Sequence, residues 1–213
     1  MSDPHTPYSS AVTRRTFEKN GEAVLHLTIR RPVFPDLPSV SHFYMQLSER
    51  IEKQCAAKVS PAARLYARSH VPCGVSVSFR VTLYSERYLS VLLDVSVFNG
   101  FCRTVSCHAQ TFAYPPETLL LPTDILSDDA RARRRLRRAV FAAVKDAVSN
   151  GTVPPVNRSP TSLAASLRLR NCCLVPRGIA FFFDGAAFTD ECGSVPLFVI
   201  PADHVRDCLR LTF

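Results

Sequence analysis

The sequence predicts an α+β fold: a mostly antiparallel sheet with two longer helices packed on it. Three observations predict it. Residues 75–114 hold three runs that alternate apolar and polar residues, separated by short turn-rich loops, the pattern of an antiparallel meander. Residues 39–68 and 128–150 instead repeat their apolar residues at helical spacing. The 213 residues are 46% apolar and 21% charged, a composition that packs a core rather than staying disordered.

Taken in order, residues 1–7 are expected to be flexible. Residues 8–18 and 22–31 read as two strands joined at Asn20-Gly21, a strong hairpin signal. RPVFPDLP is too proline-rich for regular structure. From Ser39 a helix begins, with Ser39 or Ser41 as cap and Phe43, Leu47, Ile51 and Cys55 along one face. Pro61 kinks or restarts it, and the pattern continues to about Arg68. VSVSFRVTLY (75–84), YLSVLLDVSVF (88–98) and CRTVSCHAQTFAY (102–114) form the meander, with Asn99-Gly100 turning between the last two.

The next helix carries the densest charge. RARRRLRRAV, residues 131–140, places six arginines in ten positions. Leu136, Val140, Ala143, Val144 and Ala147 share one side of it. Arg131, Arg134, Arg135, Arg137 and Arg138 fall on the other, with Arg133 on the flank. Asp128 and Asp129 suit the positive end of the dipole, and Asn150-Gly151 ends the helix. A linker with a short helix or turn follows. CLVPRGIAFFFD and VPLFVIP read as two more strands, and PADHVRDCLRL as a closing helix with Val205, Cys208 and Leu209 inward. Too little chain remains after the linker to form its own core, so one domain over 1–213 is expected.

The net charge is +8, and half of it sits on residues 128–150, where seven cations face three aspartates. Such a surplus favours anionic partners. Yet no aromatic residue interleaves arginines 131–138, as single-strand binders require. Nor do Asn or Gln stand among them to read base edges. The arginines therefore read as a solvated face, with a polyanion site as the alternative.

Eight cysteines contain no CxxC pair. They read as reduced thiols acting as small core hydrophobes, and no metal site or cofactor is expected. No GxSxG elbow, HExxH, Walker loop or GxGxxG is present, so no enzymatic activity is expected. Cys107 and His108 are neighbours on a strand, point to opposite faces and cannot form a dyad. His26 also lies in a strand. Asp184, Asp190 and Glu191 read as a solvated acidic loop. Phe181, Phe182 and Phe183 demand a strand covered on both sides, or one ring at an interface. With no apolar leader and no apolar run of about 18 residues, a soluble cytoplasmic protein without membrane contact is expected.

GIAFFFDGAAFTDECGSVPLFVIPADHVRDCLR resembles the closing part of the RsiV-like domain of unknown function. That domain occurs in the extracellular part of a lysozyme-sensing anti-sigma factor and beside the catalytic domain of some peptidoglycan deacetylases. Ile179 to Phe183, Gly193, Phe198 to Pro201 and Val205 to Leu209 fill its places. Tyr88-Leu89-Ser90-Val91, Thr111-Phe112 and Leu121-Pro122-Thr123-Asp124-Ile125-Leu126 resemble its middle, and the order of elements agrees over roughly residues 8–211. The resemblance implies a curved antiparallel sheet carrying helices and a non-catalytic recognition role.

Many members of that family carry Gly-Gly-Ala-His after the second meander strand, where this chain has Asn99-Gly100-Phe101-Cys102. A histidine contact is therefore not carried over. The turn itself is the expected binding site, because irregular loops carry recognition. Phe101 would give the apolar contact and Arg103 would meet an anion, with Asn99 and Gly100 shaping the turn. The expected partner is a protein. Nucleic acid, gripped by Arg131, Arg134, Arg135, Arg137 and Arg138, is the alternative.

Overall fold

A computed structural model describes residues 7–153, 168–183 and 195–211. The expectations for residues 1–6, for the linker, for the acidic loop of Asp184, Asp190 and Glu191, and for Cys192 and Gly193 lie outside the described residues. The α+β class holds, with two sheets instead of one. A six-stranded sheet runs in the order β1-β2-β3-β4-β5-β6, and a three-stranded sheet in the order β7-β8-β9. The strands of the first are β1 (Ser9–Lys19), β2 (Glu22–Val33), β3 (Cys73–Tyr84), β4 (Tyr88–Phe98), β5 (Arg103–Ala113) and β6 (Thr118–Leu120). Those of the second are β7 (Cys172–Val175), β8 (Gly178–Phe181) and β9 (Phe198–Pro201). The chain divides into two compact units, Met1–Phe79 with Leu93–Val105 and Arg80–Leu92 with Ser106–Phe213, so β3, β4 and β5 run through both.

In the first unit Asn20 and Gly21 both take positive φ, 55° and 82°. These are the values a two-residue turn needs to match strand twist. β1 and β2 then pair antiparallel without a break from Phe17↔Leu25 to Ser9↔Val33, after a bulge at the turn end. β2 extends past the expected Arg31 through Pro32. It pairs with β3 only over Leu25–Ile29, so Pro32 removes no ladder bond on that side. The β2–β3 pairing is parallel, which sequence reading did not anticipate. Parallel strands need a long crossover, and α1 (Pro38–Ala56) with α2 (Val59–Ser69) supplies it.

Neither Ser39 nor Ser41 caps α1. Leu37 holds the cap position with no side-chain bond, and Pro38 opens the helix. The Ser41 hydroxyl instead accepts from the Phe34 amide (2.7 Å) and donates to the Phe34 carbonyl (2.9 Å). Val40, Tyr44, Ser48 and Cys55 form the buried face of α1, flanked by the expected Phe43, Leu47 and Ile51, which are half-buried. Leu25, Leu27 and Ile29 of β2 share a core with Val77, Cys55, Ala62 and Cys73.

In the second unit α3 (Pro122–Ile125) precedes α4 (Ala130–Ser149). Asp129 caps α4 by accepting from the Ala132 amide at 2.7 Å. Leu136, Val140 and Val144 are buried against Leu174, Ile179, Phe181, Phe198 and Ile200. The arginine helix thus turns its apolar stripe inward, onto the three-stranded sheet. CLVPRGIAFFFD is a hairpin and not one strand: Cys172↔Phe181 through Val175↔Gly178 pair antiparallel. Its turn is Pro176-Arg177, with Arg177 at φ 65°. Phe181, Phe182 and Phe183 are all buried, as a doubly covered segment demands. The closing helix is short, α5 (Ala202–Val205) followed by a 3-10 turn at Arg206–Cys208; Val205 and Cys208 are buried and Leu209 half-buried.

Candidate functional site

The β4–β5 turn is built from two directions. α2 ends at Ser69, and His70 caps it in the left-handed region (φ 56°), its amide donating to the Tyr66 carbonyl at 2.7 Å. The Ser69 hydroxyl donates to the Val71 carbonyl (3.0 Å) and accepts from the Val71 amide (3.2 Å). That hydroxyl lies against Gly100: a Cβ there would stand 2.6 Å from Ser69 Oγ, and φ is +91°. Glycine is therefore required at 100 on both counts. Asn99 locks the rest, its Oδ1 accepting from the amides of Phe101 (3.0 Å) and Cys102 (2.9 Å). The Asn99 amide closes the turn on the Cys102 carbonyl at 3.2 Å.

Phe101 is held by this scaffold and is 58% exposed. The Arg68 guanidinium carbon sits 5.9 Å from the ring centroid, within cation–π range. Val71 and Val97 are also exposed, and Arg103 is exposed at the start of β5. The structure so brings Asn99, Gly100 and Phe101 together with Arg68 and Ser69. The last two come from some thirty residues earlier in the chain and were not foreseen.

The arginines of α4 are exposed as expected. Three are engaged: Arg133 on Asp128 (2.5 Å), Arg135 on Asp207, and Arg134 on the Ala130 carbonyl (3.3 Å). Arg210 also reaches Asp128, at 2.5 Å. Among the described residues, Arg131, Arg137 and Arg138 have no such partner. Phe141, 37% exposed, was missed as a member of this face. At about 100° per residue it projects between Arg137 and Arg134.

Among the described residues, no three His, Cys, Asp or Glu side chains cluster to hold a metal. Six described cysteines are buried and Cys102 is exposed, and all seven are free thiols. Cys102 lies in the turn ahead of β5 rather than on the strand that holds Cys107. Burial pushes the Cys172 thiol up to about 12. It pushes Cys173 to about 11, the rise held back by Thr82 and Arg80. His26 Nδ1 lies 3.2 Å from Thr16 Oγ1 on an open sheet face, and His108 is exposed while Cys107 is buried.

No protein-family model matches the chain, and no curated protein matches it in sequence. Solved structures do. A DUF3298 family protein from Pseudomonas aeruginosa PAO1 superposes with a TM-score of 0.66 over 97% of this chain and 95% of its own, at 12% identity. A member of the same family from Bacteroides fragilis NCTC 9343 gives a TM-score of 0.57 over 95% and 92%, at 13% identity. The chain has the fold of DUF3298 proteins. DUF3298 is related to RsiV-like domains. Among the described residues, no helix is long and apolar enough to cross a membrane.

Proposed function

We propose that the chain is a non-catalytic binding module of RsiV-like kind, and that the β4–β5 turn contacts a protein segment bearing an apolar side chain flanked by carboxylates. The exposed Phe101 ring on an internally bonded turn carries this reading. The Asn99 side chain holds the amides of Phe101 and Cys102 and the Ser69 hydroxyl holds Val71 beside them, so little ordering is left for a partner to impose. Covering a phenylalanine is worth about 1.5–3 kcal/mol, and Arg68 and Arg103 supply complementary charge at the rim. The exposed Cys102 thiol suits a reducing compartment, and we place the protein in the cytoplasm.

The polyanion reading gains one observation, Phe141 on the same face as Arg137 and Arg138, and one experiment separates the two. Twelve-residue peptides selected from a random displayed library should be enriched in an aromatic or large aliphatic residue beside Asp or Glu. They should lose binding to Phe101→Ser and keep it with Arg137→Glu/Arg138→Glu. No enrichment, or binding indifferent to Phe101→Ser, overturns the proposal. A generic oligonucleotide held tightly at about 50 mM salt, and released by orders of magnitude at about 200 mM, would install the arginine helix instead.

A further inference from the structure

The β1–β2 ribbon carries a second surface. β2 buries Leu25, Leu27 and Ile29 on the face toward the helices, and the Arg15–Glu52 ion pair to α1 (2.7 Å) lies on that same side. The register Arg14↔Thr28 and Val12↔Arg30 puts Arg14 and Arg30 on the opposite face as diagonal neighbours, about 7–8 Å apart. Both are exposed. Among the described residues neither has a carboxylate partner. His26 and Thr16 continue this face, and Glu18 stands beyond them near the turn.

β1 is also the end strand of its sheet. Half of its amides and carbonyls point away from β2. Its ladder is unbroken over Ser9–Phe17, with neither proline nor glycine in the strand, and Val12 is exposed in its middle. A long regular edge of this kind is a template for another strand. The arginines decide which strand. In the fully overlapped antiparallel register with a second copy, Arg14 would face Arg14, and like charges directly opposite destabilise a pair. A carboxylate-bearing strand meets the opposite condition.

We propose that β1 is a docking edge for an acidic extended polypeptide segment, which adds to the sheet and sets carboxylates against Arg14 and Arg30. Main-chain bonds along β1 supply affinity, and the side chains alternating on the open face supply selectivity. An apolar residue two places from the acidic one covers Val12.

The test uses an eleven-residue peptide alternating Glu with Val and Thr, its lysine counterpart, and two copies of the acidic peptide N-methylated on opposite alternate residues. The acidic peptide should saturate the protein and slow amide exchange within residues 9–19. One N-methylated copy should lose binding and the other keep it, because only one set of amides faces β1. Arg14→Glu/Arg30→Glu should weaken the acidic peptide by at least about tenfold and favour the lysine peptide. Absence of saturation at about 1 mM, equal binding by both N-methylated copies, protection outside β1, or equal competition by oligothymidylate would each overturn the proposal.

Discussion

Among the described residues two hairpins have two-residue turns, and they live in opposite surroundings. In β7–β8 every residue is buried. In β1 no residue is buried, and β2 buries only some of its positions. The inner hairpin has apolar cover on both faces, from Leu136, Val140 and Val144 of α4 on one and from Ala109 and Leu197 on the other, so its residues no longer alternate. The outer one keeps arginines, threonines and a histidine on an open face. Stability should concentrate in the first and recognition in the second, because a side chain cannot both fill a core and meet a partner.

Truncating the inner hairpin is the strongest way to break this contrast. Phe181→Ala should cost about 3–5 kcal/mol, lost transfer energy plus a cavity. Val12→Ser on the outer hairpin should stay within about 0.5 kcal/mol. Urea midpoints of the two variants check this, and comparable losses would mean that the outer ribbon is structural after all.

A pH-dependent effect comes from the paired thiols at the start of the inner hairpin. Burial holds Cys172 at about 12 and Cys173 at about 11, whereas an unfolded thiol titrates at about 8.5. Below that both states are protonated and stability does not depend on these groups. Above it the unfolded chain releases its protons first, so stability falls as pH rises, until the folded thiols ionise as well. The slope is at most about 1.4 kcal/mol per pH unit for each thiol. Between pH 8 and 10.5 urea midpoints should fall, and Cys172→Ala should flatten the fall. Unchanged slopes would show that Cys172 does not contribute.

The two hairpins were not equally legible. Asn20-Gly21 announces its turn, because glycine and asparagine tolerate positive φ. Pro176-Arg177 does not, since arginine is rarely left-handed, and a continuous apolar run conceals the chain reversal. The α4 stripe was readable because Leu136, Val140 and Val144 keep a strict helical period. The parallel β2–β3 ladder was not, because it joins residues almost fifty apart. At the candidate site Asn99-Gly100 marked the turn, but Ser69 and Arg68 come from a distant helix end. The Arg14–Arg30 pair was hidden by one extra residue. Counting back from Lys19↔Glu22 without a bulge sets Arg14 against Leu27, on the helix side. The bulge moves it to Thr28, and a one-residue slip exchanges the faces.

Capping gives the next smaller effect. Asp129 holds the first turn of the helix that covers the inner hairpin, and Asp129→Ala should cost about 1 kcal/mol. Asp128→Ala removes only exposed pairs to Arg133 and Arg210, so its effect should stay below about 1 kcal/mol. Equal losses would mean that the Asp128 pairs, and not the cap, hold this end.

The turns themselves sharpen the contrast last, because substitutions there should change stability in opposite directions. Gly21 sits at φ +82° with open space where a Cβ would go, so Gly21→Ala meets no steric contact and bears the left-handed penalty of about 1–2 kcal/mol, offset by about 0.5–1 kcal/mol of unfolded-state entropy. Arg177 already bears that penalty at φ 65°. Arg177→Gly removes it but adds unfolded-state entropy worth about 0.5–1 kcal/mol, leaving a net gain on the order of 0.5 kcal/mol. Denaturant midpoints should therefore fall for the first variant and rise for the second. A fall in both would mean that the Arg177 side chain contributes contacts worth more than its backbone strain, and that the inner hairpin depends on its turn as well as on its cover.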